Sequence, residues 1–158
     1  EELRRTGYVR SNHPAVAFEN LRFGHGDGLY RLPPRLDPPV EDSQDYPLQL
    51  LTLINRRFVH SQILPEEQGG SPVVTVHPRT LEALGITPGA GWLVTELGRI
   101  EVLLAADESM HPDCVVYRRG PWGKSGGGVN RIIGFVETDM GGTGAYYEQR
   151  CRLEQRDQ

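Results

Sequence analysis

The sequence predicts a mainly β protein in which short strands close into a barrel, with one or two short helices and an extended N-terminal arm. Apolar runs of strand length recur from residue 46 to the C-terminus, and turn signals separate them. Glycine and proline account for 19 and 12 of the 158 residues, which favours many turns over long helices. Weak alternation within several strands is typical of a closed barrel with irregular crossings.

The arm is expected over residues 1–45, where the composition differs from the rest of the chain. Its stretch FGHGDGLYRLPPRLDPPVEDSQDYP is rich in proline, glycine and charge, and Asp27-Gly28 predicts at most one short hairpin. Such a composition is also that of a disordered linker. Recurring apolar side chains instead predict that part of the arm packs on the barrel: Phe18, Leu21, Phe23, Leu29, Tyr30 and Leu32.

The barrel is expected over residues 46–158, a length that can bury a core without disulfides or metals. A short helix is predicted over 77–86, because Pro78 stands in its first turn and Gly85 provides a C-terminal stop. Gly98-Arg99 is read as the turn of a hairpin. The apolar runs predict about seven strands, at 48–54, 73–76, 92–97, 100–106, 114–117, 129–136 and 149–153.

Charge, cysteine content and hydropathy exclude several classes of protein. The net charge of −4 argues against non-specific nucleic-acid binding, and no apolar run approaches membrane-spanning length. Cys114 and Cys151 are far apart and form no CxxC pattern, which argues against a zinc or iron–sulfur site. We expect buried thiols in a reducing, cytoplasmic compartment. The chain starts without Met or a signal-peptide profile, so we expect it to be excised or processed from a larger protein.

Two segments contain no Asp or Glu although the protein is acidic overall. All 21 acidic residues lie outside these acid-free segments, which span residues 46–65 and 114–136. This segregation predicts a local anion-binding site on an acidic protein. The segments carry six cationic side chains: Arg56, Arg57, Arg118, Arg119, Lys124 and Arg131.

Glycines concentrate in the same part of the chain as the second acid-free segment. Nine of the 19 fall between Gly120 and Gly144. Glycine lets backbone N–H groups approach and surround an anion, and arginine offers a planar fork to phosphate oxygens. Together they predict a phosphorylated ligand with a flat polar ring system, although a mobile solubilising loop would have a similar composition.

Standard nucleotide and catalytic motifs do not occur in the sequence. There is no GxxxxGK[ST] loop and no GxGxxG after a strand. His60 and Ser61 are adjacent in an extended segment and would point to opposite sides, which disfavours a base–nucleophile pair. His60 is expected to donate a hydrogen bond to an anion or to be structural. No HxH or HExxH spacing indicates a metal, so we predict neither catalytic residues nor metal ligands.

Four segments, taken in order, resemble one domain of a known superfamily. They are YPLQLLTLINRRFVHSQ, PVVTVHPRTLEALGITPGAGWLVTELGRIEVLLAADESMHPDCVV, GGGVNRI and GTGAYYEQRCRLE. The resemblance is to the C-terminal molybdopterin dinucleotide-binding domain of the DMSO reductase superfamily, which ends the large subunits of formate dehydrogenases and nitrate reductases. It covers residues 46–154, and the turn LGITPG is its most recognisable piece.

This resemblance implies a double-psi β-barrel that binds molybdopterin guanine dinucleotide, the form of the pterin that carries molybdenum or tungsten. In that family the loop after the first barrel strand touches the cofactor. Arg56 and His60 would then face the pyrophosphate, and Asn130 would pair with an edge of the pterin. The cofactor-binding residues that the resemblance implies are Arg56, His60, Ser61, Gln62, Asn130, Tyr146 and Tyr147.

The resemblance also implies a fragment rather than a complete enzyme. The superfamily's cysteine-rich domain, its metal-binding residue and its catalytic His and Arg have no counterpart in this chain. We therefore expect the C-terminal part of a molybdenum or tungsten oxidoreductase, not catalytic on its own, whose partner is the rest of the parent chain or subunit. The alternative is a double-psi barrel without cofactor that recognises proteins, like the N-terminal domains of some AAA ATPases. A standalone hydrolase or decarboxylase is disfavoured, because Gly70-Ser71 is followed by Pro72.

Overall fold

A computed structural model describes residues 1–35, 43–60, 62–125, 128–138 and 141–156. The chain divides into two compact units, Glu1–Leu36 and Asp37–Gln158. The domain limits drawn from the sequence, 1–45 and 46–158, and the packing of the arm on the barrel stay predictions.

The first unit contains one short helix, α1, at Glu2–Thr6, and no β-strand among its described residues. A turn forms where the hairpin was predicted, because Gly28 donates its N–H to the carbonyl of His25 at 2.8 Å. Phe23 packs between two aromatic rings, with centroid distances of 4.9 Å to Phe18 and 5.2 Å to Tyr30. The aromatic residues predicted to pack thus contact one another within this unit.

The second unit is a closed barrel of six strands, which confirms the mainly β barrel predicted from the sequence. Around the barrel the strands follow the order β1-β5-β2-β4-β3-β6. The pairs β1/β5 and β2/β4 are parallel, and the remaining pairs are antiparallel. The strands are β1 at Leu48–Ile54, β2 at Val73–Val76, β3 at Gly89–Thr95, β4 at Gly98–Ala106, β5 at Cys114–Arg119 and β6 at Arg150–Gln155.

The core fills the inside of the barrel with alternate residues of the strands. In β4, for example, Ile100, Val102 and Leu104 are buried while the residues between them are more exposed. Each such side chain contributes about 1.5–3 kcal/mol when it leaves water. Two buried threonines, Thr52 and Thr95, donate their hydroxyls to main-chain carbonyl groups, so their burial leaves no donor unsatisfied.

Helix α2, at Pro78–Leu84, forms as predicted. His77 is its N-cap, and its Nδ1 accepts the N–H of Arg79 at 3.0 Å. Gly85 ends the helix in the left-handed conformation with a φ of 64°, which glycine adopts without a steric penalty. In the described part of the chain, no helix is both long and apolar enough to cross a membrane.

Two details of the predicted strands are wrong. The β3–β4 hairpin turns at residues 96–97 rather than at Gly98-Arg99, since Thr95 pairs with Gly98 and its hydroxyl accepts the N–H of Leu97 at 3.2 Å. Residues 129–136 do not form a strand. Val129–Arg131 is instead a single 3-10 turn, in which Val129 and Ile132 both point into the core. A short apolar run has the same composition in either structure.

Candidate functional site

The parallel pairing of β1 and β5 brings the two acid-free segments together. Thr52 lies opposite Tyr117, and Ile54 lies opposite Arg119. Parallel neighbours end at the same edge of a sheet, so the loops that follow β1 and β5 leave the barrel side by side. Residues about 60 positions apart in sequence therefore become neighbours at one end of the barrel.

A cavity of about 620 Å³ lies at this end of the barrel. This volume is within the usual range for pockets that bind small molecules or cofactors. None of the described lining residues is Asp or Glu, whereas a neighbouring cavity of about 290 Å³ includes Glu67. The larger cavity is lined by Thr52, His60, Tyr117, Arg119, Gly120, Pro121, Trp122, Gly123, Gly128, Val129, Asn130, Arg131, Ile133 and Tyr146.

His60 and Gly120 hold the two loops against each other. His60 has a φ of 52°, in the left-handed region that non-glycine residues seldom adopt. Its carbonyl oxygen lies so close to Gly120 that a Cβ atom there would be 2.6 Å away. Gly120 itself has a φ of 135°. Only glycine meets both conditions, so this contact fixes where the loop after β1 meets the loop after β5.

The structure brings together three of the seven residues that the sequence singled out. His60, Asn130 and Tyr146 line the cavity, contributed by three different parts of the chain. Arg56 is exposed on the same loop as His60 and is not among the described lining residues. Gln62 and Tyr147 are also exposed and do not line it. Ser61 lies outside the described residues.

Hydrogen bonds from strands β1 and β3 hold the chain segments that carry Tyr146 and Asn130. The Thr52 hydroxyl donates to the carbonyl of Tyr146 at 3.3 Å, and the Gln49 side chain donates to the carbonyl of Tyr147. The buried Thr95 hydroxyl donates to the carbonyl of Ile132, close to Asn130 in sequence. The chain segments that carry Tyr146 and Asn130 are thus tied to barrel strands, and the cavity wall is largely set in advance.

Tyr117 and Arg119 line the cavity but are not among the seven cofactor-binding residues that the resemblance implied. Arg119 was predicted only as one of the six cationic side chains of the acid-free segments. They stand two residues apart on β5, so their side chains share a face. Tyr117 Oη and Arg119 Nη1 are buried and have no hydrogen-bond acceptor among the described residues. The Cζ atom of Arg119 lies 4.9 Å from the ring centroid of Tyr146, a cation–π contact. The two-residue spacing was visible in the sequence, but it did not reveal which face of β5 meets a cavity.

Burial raises the pKa of Tyr117 above its usual value and is the main influence on it. The backbone N–H groups of Gly128 and Val129 and the charge of Arg131 act in the opposite direction. The phenol is therefore protonated at neutral pH and able to donate. The described part of the chain places no group of three or more His, Cys, Asp or Glu side chains where they could hold a metal ion.

The comparisons define the class of protein to which this fold and site belong. The family of the Molydopterin dinucleotide binding domain matches residues 48–151, and the chain belongs to this family. It is thus a molybdopterin dinucleotide-binding domain, as the resemblance implied.

Among solved structures, 45 chains match, one of which is the acetylene hydratase from Pelobacter acetylenicus. That match has a TM-score of 0.65 and 20% identity, and it covers 88% of this chain and 22% of the hydratase chain. At this identity the likeness shows the fold alone. The chain thus spans about a fifth of the length of that neighbour. No curated protein matches the chain.

The residues of the cavity fit a dinucleotide with a diphosphate. Two buried donors, on Tyr117 and Arg119, lack an acceptor among the described residues, and phosphate oxygens are acceptors. Arg131 and His60 add further donors, and no described carboxylate competes for them. The chemistry of the lining therefore agrees with the cofactor that the family implies.

Proposed function

We propose that this barrel holds one molybdopterin guanine dinucleotide in the cavity at the ends of β1 and β5, as one part of a larger molybdenum or tungsten oxidoreductase. The observation that carries the proposal is the composition of the described cavity lining. In an acidic protein, cationic and hydrogen-bond-donating side chains from two distant segments line it together without any described carboxylate.

Each lining residue has a role that follows from its chemistry. Arg119, Arg131 and His60 bind the charged diphosphate, since all three can donate to phosphate oxygens. Asn130 offers both an amide donor and an acceptor, which suits the edge of a pterin or of guanine. Tyr146 lines the cavity, and its ring can stack on a flat ring of the ligand.

The bound cofactor would supply the redox chemistry of its metal, and this chain supplies binding and electrostatics. Its donors hold the dinucleotide and compensate its negative charge. We propose no catalytic residue and no direct metal ligand within the chain, so that it catalyses nothing alone. The reacting groups and the substrate contacts then belong to the remainder of the parent enzyme.

The parent protein is the partner we propose, and support comes from the share of 22% that the chain covers in the solved neighbour. Neither nucleic acid nor a membrane is expected as a partner, in keeping with the net charge of −4. We further propose a cytoplasmic location. Its support is that Cys114 and Cys151 are free thiols, as in a reducing compartment.

A titration of the chain with GDP tests the nucleotide part of the proposal. Amide shifts recorded by NMR should be confined to the loops around His60 and Asn130 and to the end of β5. Affinity should be low, because the parts of the parent that would bury the pterin are missing from the experiment. Shifts spread over the barrel, or their absence at millimolar GDP, would count against the proposed site.

A second experiment uses the full-length parent enzyme. The double variant Arg56→Ala with His60→Ala should retain less cofactor, measured as molybdenum or tungsten per protein, while the barrel stays folded, since both side chains are exposed. Because only His60 lines the cavity, His60→Ala alone should account for most of the loss. Arg57→Ala is the matched control, as Arg57 is an exposed neighbour that does not line the cavity. Unchanged metal content in the double variant would refute the proposal.

A further inference from the structure

Two hydrogen-bond donors that line the cavity have no acceptor among the described residues. Tyr117 is 1% exposed, and neither its Oη atom nor Arg119 Nη1 has an acceptor among the described residues. Buried polar groups are almost always paired in folded proteins. Here two such donors stand on one face of β5 and line the same cavity. Their presence therefore indicates that a ligand supplies the missing acceptor.

The missing partner has to be an acceptor. The guanidinium of Arg119 can only donate. The backbone N–H groups of Gly128 and Val129 lie near the oxygen of Tyr117 and act on its titration as donors. Because these N–H groups face the phenol oxygen as donors, the O–H proton of Tyr117 remains available to donate to another group. None of the described lining residues is Asp or Glu, so this part of the cavity wall offers no carboxylate to either group.

Arg119 contacts the ring of Tyr146, but this contact does not supply the missing acceptor. Its guanidinium lies 4.9 Å from the ring centroid of Tyr146, and the main chain at Tyr146 is held by the Thr52 hydroxyl. A ring interacts with the charge of a guanidinium but does not replace an oxygen acceptor for each N–H group. Tyr146 therefore restrains Arg119 while Nη1 stays available to a ligand.

We propose that Tyr117 Oη and Arg119 Nη1 together form an oxyanion subsite that binds a phosphate oxygen of the diphosphate. The inference rests on the proposed function and adds the residues that recognise the charged part of the ligand. Because one donor is neutral and the other is always charged, the subsite prefers an oxyanion to an uncharged carbonyl. It makes the cavity select nucleoside diphosphates over nucleosides.

The test compares GDP with guanosine on four forms of the chain: the wild type, Tyr117→Phe, Arg119→Met and Arg118→Met. Arg118 is the matched control, because it is the next residue of β5, is exposed and donates to the carbonyl of Ile54 at 3.2 Å. Affinities are measured by calorimetry or by NMR shifts, and the unfolding midpoint of each form is measured in urea.

Tyr117→Phe and Arg119→Met should each weaken GDP binding by about 10- to 100-fold, the range for a hydrogen bond to a charged group. Guanosine binding should stay unchanged in both variants, and Arg118→Met should bind GDP like the wild type. The unfolding midpoint shows whether each variant stays folded, because Tyr117→Phe also removes the oxygen that faces the N–H groups of Gly128 and Val129.

The outcomes separate the inference from the proposed function. If Tyr117→Phe bound GDP as tightly as the wild type, the subsite would be overturned and the proposed function would stand. Guanosine binding that falls as much as GDP binding in Tyr117→Phe would likewise overturn it, since the hydroxyl would then shape the cavity rather than contact the diphosphate. If the wild type bound no GDP at all, the proposed function would fail and the subsite with it.

Discussion

Replacing Gly120 by alanine tests whether the two loops at the cavity interlock. A Cβ atom at this position would lie 2.6 Å from the carbonyl oxygen of His60 and 3.2 Å from Cδ1 of Ile63. The carbonyl belongs to the backbone and cannot rotate away, so the loop itself would have to move. The φ of 135° adds strain for any residue with a side chain.

The expected loss of stability has two parts. Backbone strain at such a φ is worth about 1–3 kcal/mol. Overpacking against the carbonyl of His60 adds about 1–3 kcal/mol. Together, Gly120→Ala should lower the free energy of unfolding by about 2–6 kcal/mol, and the displaced His60 should also weaken GDP binding.

The variant Gly89→Ala separates the cost of backbone strain from the cost of overpacking. Gly89 has a φ of 136°, but a Cβ atom there would meet no atom within 4 Å, so that this variant carries the strain without the clash. Unfolding in urea should show Gly120→Ala to be less stable than Gly89→Ala by about 1–3 kcal/mol. GDP affinity should fall only in Gly120→Ala. Equal unfolding free energies for the two variants would show that the loops do not interlock as described.

Three further predictions concern the barrel. Burial raises the pKa of Cys151 from 9.0 to about 12, so the folded chain keeps a proton that the unfolded chain loses. The free energy of unfolding should therefore fall between pH 9 and 12, by at most about 1.4 kcal/mol per pH unit. Cys151→Ala should flatten this part of a urea-derived pH profile, and an unchanged slope would refute the cause. Thr95→Val removes the buried hydrogen bond to Ile132 and should cost about 1–3 kcal/mol, with faster amide exchange at 129–133; unaltered exchange there would contradict it. Leu93→Ala should cost about 2–5 kcal/mol, whereas Leu97→Ala, at a residue 54% exposed, should change little, and similar losses in both would argue against this core.

Local patterns predicted the elements of the barrel well where one physical cause dominates. Helix α2 follows from Pro78 and Gly85, whose backbone preferences act within a single turn. The strands at Leu48–Ile54 and Val73–Val76 follow from apolar runs that can only be buried in a core. The segment 129–136 was misread, because Gly128 at a φ of 136° introduces a 3-10 turn that the apolar run alone does not reveal.

The candidate site was predicted only in part, for a reason that Tyr117 and Arg119 illustrate. Their spacing places them on one face of β5, yet the sequence alone does not say whether that face meets core, solvent or a cavity. Conversely, Arg56 has the right charge and lies on the right loop, but the structure leaves it exposed and outside the described lining. Composition selects a segment, whereas the contacts of individual side chains depend on which strands are neighbours.

The sequence by itself determined the β character of the chain, the short helix α2 and the two acid-free segments, since each depends on residues close together along the chain. Only the tertiary structure decided that these segments form one cavity, because the parallel pairing of β1 with β5 joins residues distant in sequence. It also decided that Tyr117 Oη and Arg119 Nη1 are buried there without an acceptor among the described residues. Hydrogen-bond satisfaction is a property of the closed barrel, in which every neighbour of a group is fixed at once.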